Sequence, residues 1–140
     1  EFYNEEIALA HEIGVGIQPF KKEVFFQRTS VLGEEYMGEG CNVPFEEQWE
    51  VGFGTGPFTI QNRYVTEDVP VGCHVYHELG KKFGVATPVI DSMIVLGGVM
   101  NKTNYFETGL KLSDLGIEHL SKEQLLTYLR EGDYIEPKEG

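Results

Sequence analysis

Apolar residues recur every three to four positions along most of this chain, which is the spacing of one face of an α-helix. The spacing predicts helices over residues 2–13, 21–32, 45–51, 70–83 and 88–100, and a last helix after residue 121. Residues 58–65 are the only stretch that alternates between apolar and polar side chains, as a half-buried strand does. The pattern therefore predicts an all-α fold.

Capping residues indicate where several of these helices begin. Asp68 stands two residues before Pro70, and Thr87 directly before Pro88, so we expect both Asp68 and Thr87 to be N-caps. Residues 121–124 form a capping box, in which serine and glutamine satisfy each other's free backbone N–H groups. These signals predict the helix starts from local sequence alone.

The 88–100 helix is apolar on almost every side, which is typical of a central, buried helix. Its apolar residues include Val89, Ile90, Met93, Ile94, Leu96 and Val99. The same apolar excess would also suit a subunit interface, so a homodimer is the alternative explanation.

The chain carries 23 acidic and 11 basic residues, for a net charge of −12. Such a charge repels phosphate backbones and anionic lipids, which argues against a nucleic-acid partner and against a membrane-surface role. No apolar run approaches the roughly 20 residues that a membrane-spanning helix needs. The first residues lack the basic segment of a signal peptide, so we expect a cytoplasmic protein. The chain does not begin with methionine, so we expect it to be a piece of a longer chain or a chain whose start was removed.

Two cysteines, Cys41 and Cys73, are too few for a disulfide framework or a zinc site. We expect free thiols in a reducing compartment, with a single bridge as the alternative. His74 and His77 lie three residues apart and would share a helix face, but further ligands at suitable spacing are lacking, so no metal is predicted.

Charged and hydroxyl side chains concentrate at residues 63–68 and offer candidate chemistry. Arg63, Thr66, Glu67 and Asp68 stand there among β-branched residues. A carboxylate at a helix start, five residues after an arginine, is a plausible catalytic arrangement. The simpler alternative is a helix cap beside a surface ion pair. The loop at residues 52–56 holds three glycines but does not match the dinucleotide-binding motif.

The ordered motifs of this chain resemble the C-terminal domain of the octopine/nopaline (opine) dehydrogenase family. The resemblance is strongest from residue 63 to residue 91, over RYVTEDVPVG, HELG and GVATPVID. Weaker similarity extends to EIALAHEIGV at residues 6–15 and to LSDLGI at residues 112–117. The resemblance implies that residues 1–140 are one helical substrate domain, a bundle similar to the C-terminal domain of 6-phosphogluconate dehydrogenase.

Such a resemblance implies an NAD(P)-dependent oxidoreductase acting on CH–NH donors, which reductively condenses an amino acid with a 2-oxo acid such as pyruvate. NAD or NADP would be bound mainly by an N-terminal Rossmann domain that lies outside this chain. By the same resemblance Asp68 and Arg63 are candidate catalytic residues, and Arg63, Trp49 and Thr66 are candidate substrate-binding residues. Asp68 would hold a catalytic histidine, as carboxylates do in other His–Asp pairs.

The sequence departs from the family pattern at that histidine. In the family it lies in a His-Pro segment, and these 140 residues contain no His-Pro pair. We assign the role to none of the four histidines, His11, His74, His77 and His119. We therefore expect the chain to be inactive by itself. The alternatives are a stand-alone helical binding or dimerisation module, or the substrate domain of a related metallophore-forming enzyme or 2-oxo-acid reductase.

Overall fold

The computed structural model describes residues 1–17, 19 and 59–132. The chain divides into two compact units, one formed by Glu1–Ile17 and Ile60–Gly140 and the other by Gln18–Thr59. The helices predicted over 21–32 and 45–51 lie outside the described residues, as do Trp49 and Cys41.

The described residues form helices separated by turns. They are α1 (Phe2–Ile13), α2 (Arg63–Thr66), a π-helical turn (Val69–Cys73), α3 (His74–Phe83), α4 (Pro88–Asn101), α5 (Tyr105–Thr108) and α6 (Lys122–Glu131). The described ranges contain no strand, and the all-α prediction is confirmed. The alternating stretch before residue 66 ends in α2 instead of a strand.

Two apolar clusters hold these helices together. The larger cluster joins α1, the π-helical turn, α4 and α5 through Leu9, Val69, Cys73, Ile90, Ile94 and Tyr105. The smaller cluster joins the end of α1 to α6 and its preceding turn through Ile13, Leu120 and Leu125, with Leu79 and Phe83 of α3 packed against it. Burying each large apolar side chain contributes about 1.5–3 kcal/mol.

The helical segment that contains Asp68 begins earlier than predicted. Asn62 caps α2, since its side chain accepts a hydrogen bond from the backbone N–H of Tyr64 at 3.2 Å. Asp68 already has helical backbone angles (φ −64°, ψ −33°), and its carboxylate makes no capping hydrogen bond. Asp68 is the N-cap residue of the π-helical turn by position, but the predicted capping by its carboxylate is wrong, because Asn62 had already started the helical path.

Pro70 lies within this path and is accommodated by the π-helical turn Val69–Cys73. Proline lacks an N–H, and a wider turn is one way for a helix to absorb it. The Pro70 carbonyl accepts a hydrogen bond from the backbone N–H of Leu110 at 2.8 Å, so the turn is tied to the segment after α5. Such π-helical turns occur frequently at functional sites.

The first turn of α4 is capped by a distant residue. Thr87 occupies the N-cap position and Pro88 opens the helix, as predicted, but the Thr87 side chain makes no capping hydrogen bond. Glu5 of α1 instead accepts from the N–H of Val89 through Oε1 (2.8 Å) and from the N–H of Ile90 through Oε2 (3.0 Å). A carboxylate suits the positive end of a helix dipole better than a neutral hydroxyl does.

The outer side of α4 is exposed, which also corrects a prediction. Ile90, Ile94, Gly97 and Gly98 are buried, but Val99 is 72% exposed and Leu96 60% exposed. Met93, Val95 and Met100 lie on the exposed side as well. The helix is therefore not buried all round, because within the described residues only one face packs on the core.

Candidate functional site

A groove with a volume of about 500 Å³ runs beside Asp68. It is bordered by the start of α1, by α2, by the π-helical turn, by α3 and by one residue of α4. The polar and aromatic side chains that line it are Phe2, Tyr64, Glu67, Asp68 and Tyr76. The groove combines carboxylates with aromatic walls, and none of the described residues that line it is basic.

Asp68 is exposed on the edge of this groove. Within the described part of the chain, no hydrogen bond or ion pair engages its carboxylate. Its charge nevertheless acts on the Cys73 thiol in the groove wall. Burial raises the pKa of that thiol most, followed by the charge of Glu6 and then the charge of Asp68. The carboxylate is thus available to a partner from outside the described residues.

Arg63 does not line the groove, and it pairs with Glu67, a carboxylate that does. Its Nε atom lies 3.6 Å from Oε2 of Glu67, and the two side chains are 70% and 59% exposed. Exposed pairs one helical turn apart contribute only about 0.3–0.5 kcal/mol, so the pair is easily exchanged. The structure therefore does not join Arg63 to Asp68 directly.

Thr66 is not among the residues that line the groove. Thr66 is exposed, and its hydroxyl donates to the backbone carbonyl of Asn62 at 3.2 Å. Trp49 lies outside the described residues. Of the predicted site residues that the structure describes, only Asp68 borders the groove.

A tyrosine–glutamate pair that the sequence did not indicate lies against the same groove. Tyr76 of α3 and Glu6 of α1 lie close enough for each side chain to shift the pKa of the other. Burial raises the pKa of Glu6, while the neighbouring Tyr76 hydroxyl opposes that rise. Burial and the Glu6 charge together raise the pKa of Tyr76, so its hydroxyl keeps its proton. The ring of Phe2 packs edge-on against Tyr76, with the ring centres 6.3 Å apart.

Cys73 is a free, buried thiol beside this pair, as predicted for a reduced cysteine. Burial, then the charges of Glu6 and Asp68, raise its pKa. A thiol reacts as its thiolate, so Cys73 is an inert wall residue at neutral pH and no nucleophile.

The two histidines of α3 serve separate structural contacts. His77 Nδ1 lies 2.8 Å from Oδ1 of Asp91, and the Thr87 hydroxyl donates to the same oxygen at 3.1 Å. His74 is 1% exposed, with Nδ1 2.8 Å from the carbonyl oxygen of Leu110 and Nε2 3.3 Å from that of Phe106. The two rings therefore connect α3 to α4 and to α5. The described residues contain no group of three or more acidic, histidine or cysteine side chains arranged to hold a metal.

The part of the chain that the structure describes has no helix with the length and apolar character needed to cross a membrane.

Comparison with known proteins identifies relatives of the chain. Residues 1–101 match the model of the family described as NAD/NADP octopine/nopaline dehydrogenase, alpha-helical domain. An opine dehydrogenase from Arthrobacter sp. (strain 1C) is 35% identical over 66 residues. That match covers 47% of this chain but only 18% of the Arthrobacter enzyme. No solved structure gives a significant match. The family match covers more than half of the chain and begins in α1 and ends with α4, so the chain belongs to the NAD/NADP octopine/nopaline dehydrogenase family as its alpha-helical domain.

Proposed function

We propose that this chain is the substrate-binding and part-catalytic domain of an NAD(P)-dependent opine dehydrogenase. The enzyme would condense an amino acid with a 2-oxo acid such as pyruvate and reduce the product to a secondary amine. The observation that carries the proposal is the exposed Asp68 carboxylate, which borders the groove and has no partner within the described residues.

Asp68 has the properties of a carboxylate that orients a catalytic histidine. It is exposed and stands beside a π-helical turn. A histidine supplied from outside this chain would donate one ring N–H to Asp68 and exchange a proton with the substrate through its other nitrogen. The carboxylate would also stabilise the protonated imidazole.

Arg63 would bind a substrate carboxylate. Its present partner, Glu67, is exposed and 3.6 Å away, so the exchange of partners costs little. The planar guanidinium forms paired hydrogen bonds with a carboxylate, which suits both the amino acid and the 2-oxo acid. Trp49 and Thr66 remain candidate substrate contacts.

NAD or NADP would be held by another domain of the full-length protein. The groove lining carries carboxylates, and these would repel the pyrophosphate of a dinucleotide. Dinucleotide sites instead present glycine-rich backbone at a helix N-terminus. The described residues therefore do not fit the cofactor, and its chemistry belongs to the partner domain.

A second candidate function is an interaction module, which the exposed apolar side of α4 favours. Five of its apolar side chains, Met93, Val95, Leu96, Val99 and Met100, are 41–72% exposed. In that case the role of Asp68 would be structural. A related metallophore-forming enzyme or 2-oxo-acid reductase would use the same groove with different substrates.

The test is an assay of NAD(P)H oxidation by the full-length protein with pyruvate and a panel of amino acids. We expect oxidation that depends on the amino acid and falls about a hundredfold or more in Asp68→Asn, the loss typical of a disrupted proton-transfer group. Asp114→Asn is the matched control, since Asp114 is also exposed but lies outside the groove lining. Full activity in Asp68→Asn would overturn the proposal, and oxidation without an amino acid would indicate a 2-oxo-acid reductase. The 140-residue chain alone should show no turnover.

A further inference from the structure

A second cavity lies where the C-terminal half of α4 meets the turn into α5. It has a volume of about 370 Å³ and is lined by residues of α4 and by residues 102–106. It shares no lining residue with the groove beside Asp68, and the proposed chemistry uses none of its side chains. A volume at the low end of the range for ligand pockets suits a small molecule.

The walls of this cavity are mostly apolar and aromatic. Val95 and Val99 of α4 are 51% and 72% exposed beside it, and Phe106 lines it from α5. The carboxamide of Asn104 is already engaged, since it donates to Glu107 at 2.8 Å and accepts from the N–H of Phe106 at 3.2 Å. None of the residues that line the cavity is acidic. Most of a ligand held here would therefore contact apolar surface.

Lys102 contributes the single charge of the cavity lining. It follows the last residue of α4 with a φ of 55° and a ψ of 39°, and it is the only non-glycine residue with a positive φ in the described ranges. Glycine usually occupies this left-handed position at a helix end, because a Cβ makes it costly. The Lys102 ammonium makes no ion pair or hydrogen bond within the described residues. A strained backbone that presents an unpaired cation to a cavity points to a function for that cation.

Tyr105 gives a second, independent sign that the cavity receives a ligand. The residue lines the cavity and is only 7% exposed, yet its hydroxyl makes no hydrogen bond within the described residues. Polar groups of such buried side chains are normally bonded. The cavity is thus bordered by two polar side chains that lack a protein partner in the described part of the chain.

We propose that this cavity binds a small monocarboxylic acid with an apolar body, whose carboxylate pairs with the Lys102 ammonium while the body lies against Val95, Val99 and Phe106. A single cation suits a single carboxylate, whereas a diphosphate would need several donors. The groove beside Asp68 has the opposite charge, because its lining carries carboxylates and no basic described residue. Carboxylate ligands are therefore attracted to the cavity and repelled from the groove.

The first experiment is isothermal titration of sodium hexanoate into the full-length protein. Lys102→Met keeps the length of the side chain and removes its charge, so we expect the Kd to rise about tenfold, as for the loss of one hydrogen bond to a charged group. Hexan-1-ol, which has the same body and no carboxylate, should bind wild type about tenfold more weakly than hexanoate does. Lys111→Met is the matched control, since Lys111 is also exposed and does not line the cavity. It should leave the Kd unchanged.

A second pair of variants tests the apolar walls. Val95→Phe places a larger side chain in the cavity and should abolish hexanoate binding with Lys102 intact. Leu96→Phe is its control, because Leu96 is 60% exposed on the same helix but does not line the cavity. Lys102→Gly separates binding from folding. It should lose binding as Lys102→Met does, with an equal or higher Tm, because glycine adopts the left-handed conformation without the Cβ penalty.

Four results would each overturn the inference. They are no hexanoate binding by wild type, equal binding by wild type and Lys102→Met, equal binding of hexanoate and hexan-1-ol, and unchanged binding in Val95→Phe. An acetylated glycyl-glycyl-leucine peptide distinguishes the source of the carboxylate. Tighter binding of the peptide than of hexanoate would assign the cavity to the C-terminus of a protein chain and would refute the small acid. All of these measurements report binding without turnover, so their outcome is independent of the proposed enzymatic function.

Discussion

Glu5→Ala should destabilise the fold more than any other exposed or half-buried glutamate in the described part of the chain. The substitution removes both acceptors that cap α4, at 2.8 Å from the N–H of Val89 and 3.0 Å from that of Ile90. Ile90 is fully buried, so no water replaces the lost acceptor at its N–H. Losing an N-cap costs about 0.5–2 kcal/mol, and losing a charge at the helix dipole about 0.3–1 kcal/mol. We expect a loss of about 2 kcal/mol in the free energy of unfolding, near the upper end of the capping range.

The assay is urea and thermal unfolding followed by circular dichroism, with an expected drop in Tm of about 8 °C at roughly 4 °C per kcal/mol. Glu5→Gln keeps a neutral acceptor and should lose about half as much. Glu131→Ala, on an exposed residue at the end of α6, is the control. Hydrogen exchange gives the local readout, since the amides of Val89 and Ile90 should exchange faster in Glu5→Ala before the rest of α4 does. Equal stability of Glu5→Ala and Glu131→Ala, with unchanged exchange at both amides, would refute the capping argument.

Two further predictions concern a close approach and a titration. Gly109→Ala should cost about 1–3 kcal/mol in urea unfolding, as overpacking does, because the new Cβ would lie 2.5 Å from Cγ of His74 and 2.6 Å from the carbonyl oxygen of Tyr105. Gly16→Ala, with open space around its Cβ, is the control, and an equal loss in both variants would contradict the steric explanation. Burial raises the pKa of Glu6 above its ordinary value of 4.5, so the folded state holds this proton more tightly than the unfolded chain does. That contribution to stability is complete below pH 4.5 and is lost as the pH rises through the folded pKa. The Tm of Glu6→Gln should therefore rise relative to that of wild type as the pH increases from 4 to 7. A fall relative to wild type over this range would show that the direction assigned to the pKa shift is wrong.

Local signals in the sequence predicted the helix ends that depend on neighbouring residues. The capping box at Ser121 and Gln124 forms as predicted, because both partners lie within one turn. Gly84 and Gly132 close α3 and α6 in the left-handed conformation that glycine adopts easily. Each of these contacts spans at most a few residues, so no knowledge of the tertiary fold was needed.

Predictions failed where the partner comes from far along the chain. Thr87 occupies the N-cap position of α4 as predicted, but the side chain that accepts from the first N–H groups is that of Glu5, 84 positions before Val89. Asp68 precedes a proline, yet Asn62 starts the helical path and Asp68 lies inside it. A propensity describes which residue can cap a helix, and tertiary packing decides which one does.

The candidate site shows the same difference between contacts of neighbouring residues, which the sequence predicts, and contacts of distant residues, which it does not. Asp68 could be named because the motif around it is contiguous and resembles that of a family. Arg63 and Glu67 lie one helical turn apart, so their pairing could be predicted from the sequence. The proximity of Tyr76 to Glu6 could not, since 70 positions separate the two residues and neither belongs to a recognisable motif.

Successive glutamates on α1 connect the stability of the domain to its groove. Neighbouring side chains on an α-helix point about 100° apart, so Glu5 and Glu6 face different elements. Glu5 is directed at the first turn of α4, and Glu6 at Tyr76 of α3. The cap formed by Glu5 therefore fixes the position and rotation of α1 against the core, and with them the distance from Glu6 to Tyr76. Because Phe2 belongs to the same helix and packs on the Tyr76 ring, one wall of the proposed substrate groove depends on how α1 is held.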